Sequence, residues 1–282
     1  MRIFIAGATG AIGSVLVPLL LDAGHTVTGS TRTEQGLAEL AARGANGVRL
    51  DVFDRDAVAA AVAADAPDAV IHQLTALGAG NPADNARIRI EGTRNLVDAA
   101  KRAGVRTMIA QSIAWAYEPG QGPAGEATPL DTGAPQPRQT TLGGITALEG
   151  AVSEIDRHVI LRFGAFYGPG TWYAPGSLMA DRLTGGTLPA NDAVSSFVHV
   201  RDAAQATVQA LDWPSGPVNI ADDHPAPAHT WVPALAAALD RPAPPRTRGG
   251  AAWERGALNT RARSLGWTPQ HSTWRTGFAD QR

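Results

Sequence analysis

The sequence predicts an α/β fold, a doubly wound parallel sheet, and three features predict it. Short apolar runs with β-branched and aromatic members alternate with helix-patterned segments through the first two-thirds of the chain, as expected of strands joined by helical crossovers. The first run, Arg2-Ile3-Phe4-Ile5-Ala6, passes straight into Gly7-Ala8-Thr9-Gly10-Ala11-Ile12-Gly13 and then into a helical pattern. At 282 residues the chain is long enough for one large α/β domain, or for a domain with a smaller appendage.

The elements follow in order. Residues 2–6 form the first strand and 12–23 the first helix. Strand 25–30, helix 34–43, strand 47–51, helix 54–64 and strand 68–73 come next. A loop with Gly78, Gly80 and Pro82 leads to a long amphipathic helix over 85–103, with Ile88, Leu96, Val97 and Ala100 near one face. The fifth strand is 107–111, and the Pro-, Gly- and Gln-rich stretch 118–139 is a long loop over the sheet's ligand edge. Helix 142–155 and strand 158–163 complete the regular part. Beyond Gly164 the pattern is irregular, with helices near 175–184 and 202–211 and a Pro-rich passage, Pro242-Ala243-Pro244-Pro245, before a basic tail.

The first turn carries chemistry. Glycines let backbone N–H groups at a helix N-terminus meet a pyrophosphate with no side chain in the way. Its placement between a strand and a helix favours nucleotide binding over a turn that merely needs positive φ. Gly7, Thr9, Gly10, Ala11, Ile12 and Gly13 are therefore candidate cofactor-binding residues. Residues 1–164 are expected to form a Rossmann-like nucleotide-binding domain, and 165–282 mostly a small substrate-binding subdomain interwoven with it.

Composition narrows the partners. A net charge of −2, from 24 basic and 26 acidic residues, offers no electrostatic footprint for nucleic acid or an anionic membrane. The chain has no cysteine, which removes disulfides, thiolate catalysis and thiolate metal sites, and no His/Asp/Glu pair stands at convincing metal-ligand spacing. It has neither an 18-residue apolar run nor a signal-peptide pattern, so a cytoplasmic location is expected.

Several motifs in order resemble the extended short-chain dehydrogenases/reductases, also called the NAD-dependent epimerase/dehydratases, over nearly the whole chain. Gly7, Gly10 and Gly13 match the nucleotide turn, and Asn95 within Glu91-Gly92-Thr93-Arg94-Asn95-Leu96 matches the polar residue of the long fourth helix. The segments starting at Leu161, Phe197 and Leu265 resemble the strand and loop under the nicotinamide, the later "hV.D" segment and the C-terminal signature. The resemblance implies that Asp51 and Val52 lie against adenine, that the backbone of Gln73, Leu74 and Thr75 lines the cofactor, and that Phe163 lies under the nicotinamide. It also implies a homodimer through helices 85–103 and 142–155. The latter's stripe of Leu142, Ile145, Leu148 and Val152 suits a core as well as an interface.

At the end of the second strand, where a carboxylate would hold the ribose hydroxyls of NAD, the sequence reads Gly29-Ser30-Thr31-Arg32-Thr33. A guanidinium at Arg32, helped by Thr31, suits a 2′-phosphate, so NADP is expected, with NAD possible.

The family's usual Tyr-x-x-x-Lys is absent: Tyr117, Tyr167 and Tyr173 are followed four residues later by Gln121, Thr171 and Ser177. Alignment through Glu149 puts Thr141 at the Tyr position and Ile145 at the Lys position. A positioned general acid contributes about 10²–10⁴-fold, so the loss needs a replacement or a different chemistry. Ser112 and Tyr117 are the candidate catalytic residues, with His199 behind them; His72 suits the cofactor wall. Trp115, Trp172 and Tyr173 suit an apolar or aromatic substrate, and suit anchoring of their loops equally well.

The expected activity is an NADPH-dependent oxidoreductase delivering hydride to a carbonyl, imine or activated alkene of a small apolar metabolite. The alternatives are a nucleotide-sugar epimerase or dehydratase, and a non-catalytic NADP-binding redox sensor.

Overall fold

A computed structural model describes residues 1–76 and 81–279; the expected loop glycines Gly78 and Gly80 lie outside the described residues. The order of elements is β1 (Arg2–Ala6), α1 (Gly13–Asp22), β2 (Thr26–Thr31), α2 (Glu34–Ala42), β3 (Asn46–Arg49), α3 (Arg55–Asp65), β4 (Ala69–His72), α4 (Pro82–Arg87), a π-helical turn (Ile88–Gly92), α5 (Thr93–Arg102), β5 (Thr107–Ile113), α6 (Arg138–Val152) and β6 (Arg157–Phe163). Then come β7 (Ala165–Tyr167), α7 (Leu178–Thr184), β8 (Val194–Ser195), β9 (Phe197–His199), α8 (Val200–Gln209), β10 (Gly216–Ile220), β11 (Ala226–Pro227), α9 (Ala228–Ala238), α10 (Thr260–Ser264) and α11 (Trp274–Gly277).

Seven strands form one sheet in the order β10-β6-β5-β4-β1-β2-β3. β1 pairs in parallel with both β2 and β4, with Ala6 opposite Ser30 on one side and His72 on the other. The winding direction reverses between β1 and β4. Open α/β sheets bind ligands outside the carboxyl ends of the strands at such a reversal.

The chain divides into two compact units, one of residues 1–112, 132–161 and 204–217, the other of 113–131, 162–203 and 218–282. Each unit takes segments from both sides of residue 164. In the first unit Phe4, Val70 and Met108 from the strands meet Val58 and Val62 of α3, Leu96 and Val97 of α5, and Leu148 and Val152 of α6. Leu142, Ile145, Leu148 and Val152 are all at most 2% exposed, so the α6 stripe is core. The expected helix over 85–103 is divided by the π turn. Gly92 closes that turn, and a Cβ there would lie 2.9 Å from Val52 Cγ1, so the glycine permits the close approach.

The second unit has an aromatic core. Phe197 lies 5.3 Å from Tyr173 and from Trp231 and 5.4 Å from Phe278, ring centre to ring centre. Trp274, on α11, joins the same cluster.

Candidate functional site

The turn after β1 is shaped for close backbone approach. Gly7 has φ +89°, and a Cβ on it would lie 2.9 Å from the carbonyl carbon and oxygen of Gln73. A Cβ on Gly13 would lie 2.4 Å from the Gly7 carbonyl oxygen. Gly10 N–H donates to that oxygen at 3.3 Å. α1 starts at Gly13 without a side-chain cap on Ile12, and the Ser14 hydroxyl donates instead to the Ala11 carbonyl at 3.1 Å. A helix N-terminus without a side-chain cap, at a turn with room for close approach, suits a pyrophosphate.

At the tip of β2, Thr31 is buried and its Oγ1 lies 3.4 Å from Thr9 Oγ1. Gly36 makes room for it, since a Cβ there would fall 2.1 Å from Thr31 Oγ1. Thr33 caps α2 by accepting from Gly36 N–H at 3.0 Å. Arg32 is exposed and makes no ion pair among the described residues. The nearest acidic side chain in sequence, Glu34, is paired with Arg49 at 3.0 Å.

After β3, exposed Asp51 accepts from Phe53 N–H at 3.0 Å. Val52 is buried, and Asn95 Nδ2 donates to its carbonyl at 2.9 Å, which ties the loop to α5. At the end of β4, His72 is fully buried. Its Nδ1 accepts from Leu74 N–H at 3.2 Å, so Nε2 carries the proton toward Thr93 Oγ1 at 2.9 Å. Burial, reinforced by the charge of Arg89, lowers its pKa from 6.5 to about 4. Gln73 is 5% exposed, and both polar atoms of its carboxamide are buried without a hydrogen-bond partner among the described residues. Leu74 and Thr75 are half-buried beside it.

The catalytic candidates are less open. Ser112, expected just after β5, lies within it, 1% exposed, and its hydroxyl donates to Glu149 Oε1 on α6 at 2.6 Å. On the same helix Thr141 is half-buried and Ile145 fully buried. In the second unit, Tyr117 is 1% exposed and its hydroxyl donates to Asn219 Oδ1. Asn219 Nδ2 donates in turn to the carbonyls of Ala124 at 3.3 Å and Leu258 at 3.0 Å. Burial raises the pKa of Tyr117, outweighing the lowering by Arg162, whose guanidinium lies 5.0 Å from the ring centre. A buried phenol in this setting is a weaker acid than a free tyrosine; its geometry is that of a framework residue.

His199 stacks on His271 at 3.6 Å, and its pKa falls to about 4, chiefly by burial. Phe163 is 1% exposed, 5.2 Å from the Phe166 ring. Tyr173 belongs to the aromatic core, whereas Trp115 is 40% exposed and lies 6.1 Å from Trp253.

Two polar side chains were not singled out from the sequence as side chains. Gln73 was assigned only a backbone role, and buried Arg89 none. The signal was present: Arg89 stands seven residues before Leu96, on the face otherwise apolar at Leu96 and Ala100. Among the described residues, no helix is long and apolar enough to cross a membrane.

Comparison with known proteins agrees with this geometry. The pattern of the NAD dependent epimerase/dehydratase family matches residues 3–221. A 3-diazoavenalumate denitrifying reductase of a Streptomyces species is 42% identical over 307 aligned residues, spanning 99% of each protein. The UDP-glucose 4-epimerase of Thermotoga maritima, solved with UDP-glucose, superposes with a TM-score of 0.79 at 20% identity over 100% of this chain and 97% of its own. That of Thermus thermophilus, solved with NAD, gives 0.77 at 24% identity over the same shares, 100% and 97%. The last two carry the fold; the first two carry the family. The chain belongs to the NAD dependent epimerase/dehydratase family and is an NAD(P)-dependent oxidoreductase of the extended short-chain dehydrogenase/reductase type.

Proposed function

We propose that the chain is an NADPH-dependent reductase whose electron-pair acceptor needs no proton from the protein, an aromatic diazo compound being the class favoured. The observation that carries this reading is the emptied proton-handling pair: α6 offers Thr141 and Ile145, and neither ionises near neutral pH. The two hydroxyls considered as replacements donate to Glu149 and Asn219. Oxidising an unactivated sugar alcohol needs a strong base, so the same observation weighs against epimerase or dehydratase chemistry. When bound, the nicotinamide supplies a hydride, and a diazonium acceptor balances with no added proton: Ar–N₂⁺ + NADPH → Ar–H + N₂ + NADP⁺. The full-length likeness to a diazo-compound reductase supports that class of acceptor.

The residues present fit the cofactor. Gly7 and Gly13 leave space that a Cβ would fill, α1 opens without a side-chain cap, and the Gln73 carboxamide is unpaired among the described residues. In this reading Gly7, Thr9, Gly10, Ala11, Ile12 and Gly13 receive the pyrophosphate, Asp51 and Val52 the adenine, and Gln73, Leu74 and Thr75 the ribose side. Phe163 takes the nicotinamide side. Thr31 and Arg32 receive the 2′-phosphate. The second unit supplies most of the substrate-binding residues, and a homodimer uses the outer face of the π turn and α6, where Ile90 is 48% exposed.

Two measurements test the reading. NADPH oxidation is followed with an aryl diazonium carboxylate beside a panel of ketones, enones and cyclic imines. Loss of the diazo absorbance with stoichiometric N₂ supports it; turnover of carbonyls alone overturns it. Arg32→Ala is expected to weaken NADPH at least ~10-fold and leave NADH unchanged. Equal affinities for the two in the native protein sink the NADP assignment.

A further inference from the structure

Arg89 stands in the π turn between α4 and α5, and only 5% of it is exposed. Single π turns inside helices recur at functional sites. Among the described residues no carboxylate pairs with its guanidinium and no hydrogen bond is made by it. Burial lowers its pKa from the ordinary arginine value to about 10, so the group stays charged at neutral pH. That charge also reaches His72, where it adds to the burial that keeps the imidazole neutral. A buried cation left uncompensated is strongly destabilising.

The neighbouring helix makes way for it. The π turn packs on α6, and a Cβ on Gly144 would lie 3.4 Å from Arg89 Cβ and 3.0 Å from Ala86 Cα. Gly144 is adjacent to Ile145, the position where the resemblance expects a lysine. A cation is thus missing from α6 and present on the turn packed against it. Both belong to the unit that holds the glycine turn.

We propose that Arg89 is the anion-recognising group of the substrate site, binding a carboxylate or phenolate oxygen of the substrate in place of the cation absent at position 145. This rests on the reductase reading, and it gives that reading a substrate class: aromatic compounds that carry an anionic oxygen. The name of the Streptomyces relative's substrate is that of a carboxylate. A planar guanidinium offers two parallel donors to such a group, a geometry that an ammonium lacks.

The test uses the full chain loaded with NADP⁺, with cinnamate and its neutral amide, cinnamamide, as probes and tryptophan fluorescence as the readout. In the native protein cinnamate is expected to bind at least ~10-fold more tightly than cinnamamide. Arg89→Met brings that ratio close to one, Arg89→Lys leaves part of it, and NADPH affinity stays within about 2-fold in both. Because the charge has no counter-charge among the described residues, Arg89→Met is also expected to raise Tm. No preference in the native protein, a preference that survives Arg89→Met, or a lowered Tm overturns the proposal. A loss of NADPH affinity with the preference intact assigns Arg89 to a cofactor phosphate and likewise overturns it. None of these readouts needs turnover. A protein that prefers the anion yet reduces no diazo compound refutes the reductase reading alone, and one that turns over with no Arg89-dependent preference refutes this inference alone.

Discussion

The two units treat buried polar groups differently. In the first, among the described residues, the Gln73 carboxamide has no hydrogen-bond partner and Arg89 lies buried without a counter-charge. In the second, the groups with chemical promise close on one another. Tyr117 donates to Asn219, His199 stacks on His271, and Asp222 accepts from the N–H groups of His224 at 3.1 Å and Trp274 at 2.9 Å. An unmade hydrogen bond in the interior costs about 1–3 kcal/mol. A bound ligand removes such a deficit, so Gln73 and Arg89 are the groups offered to one, while Tyr117, His199 and Asp222 are tied into the framework.

The same substitution at two glycines separates binding surface from framework with the largest effect. At Gly13 a Cβ would stand 2.4 Å from the Gly7 carbonyl oxygen, while at Gly143 on α6 it would meet nothing within 4 Å. Gly13→Ala is expected to weaken NADPH by ~100-fold, about 2.7 kcal/mol, and to lower Tm through the forced backbone shift. Gly143→Ala leaves NADPH affinity alone and raises Tm, since alanine in a helix interior is favoured by about 1 kcal/mol. Titration of both variants with NADPH, beside their melting curves, decides it; similar affinities would remove the glycine turn from the binding surface.

A smaller effect tests the framework side. Asp202 is fully buried and accepts from Gln270 N–H at 3.1 Å, His271 N–H at 2.8 Å and His271 Nδ1 at 3.2 Å. Asp202→Ala leaves two backbone N–H groups unpaired, a loss of about 1–3 kcal/mol and of several degrees in Tm. NADPH affinity is expected to hold. A variant that melts as the native protein does, yet binds NADPH poorly, would place Asp202 in the site rather than in the frame.

Legibility in the sequence follows the same line. The glycine turn and the alternation of elements are written locally, because a strand, a tight turn and an amphipathic helix each fix a period over a few residues. β10 escaped because Gly216-Pro217-Val218-Asn219-Ile220 has only two strong strand formers, and α9 because its alanine-rich run contains Pro233. Tyr117 looked available in a loop, but the group that engages its hydroxyl is Asn219, 102 residues away. Gln73 and Arg89 differ in this respect: the burial of Gln73 is imposed by elements remote in sequence, whereas that of Arg89 is recorded only in its helical spacing, seven residues before Leu96.

His72 offers the finest measure of how the first unit holds a polar group. Its pKa is lowered from 6.5 to about 4, so the folded protein keeps it neutral where the unfolded chain would bind a proton. Stability from this group is present above pH 6.5 and is lost as pH falls toward 4, by at most about 1.4 kcal/mol per pH unit. His199, also lowered to about 4, acts in the same direction, while Asp222, raised to about 7 by burial, acts in the opposite one over the range from 3.8 to 7. Subtracting the stability profile of His72→Asn from that of the native protein cancels both. The difference is expected to be flat above pH 6.5 and to slope by one proton's worth between 6.5 and 4, in urea melts taken across that range. A difference flat at every pH would mean that His72 takes up its proton as freely in the fold as out of it.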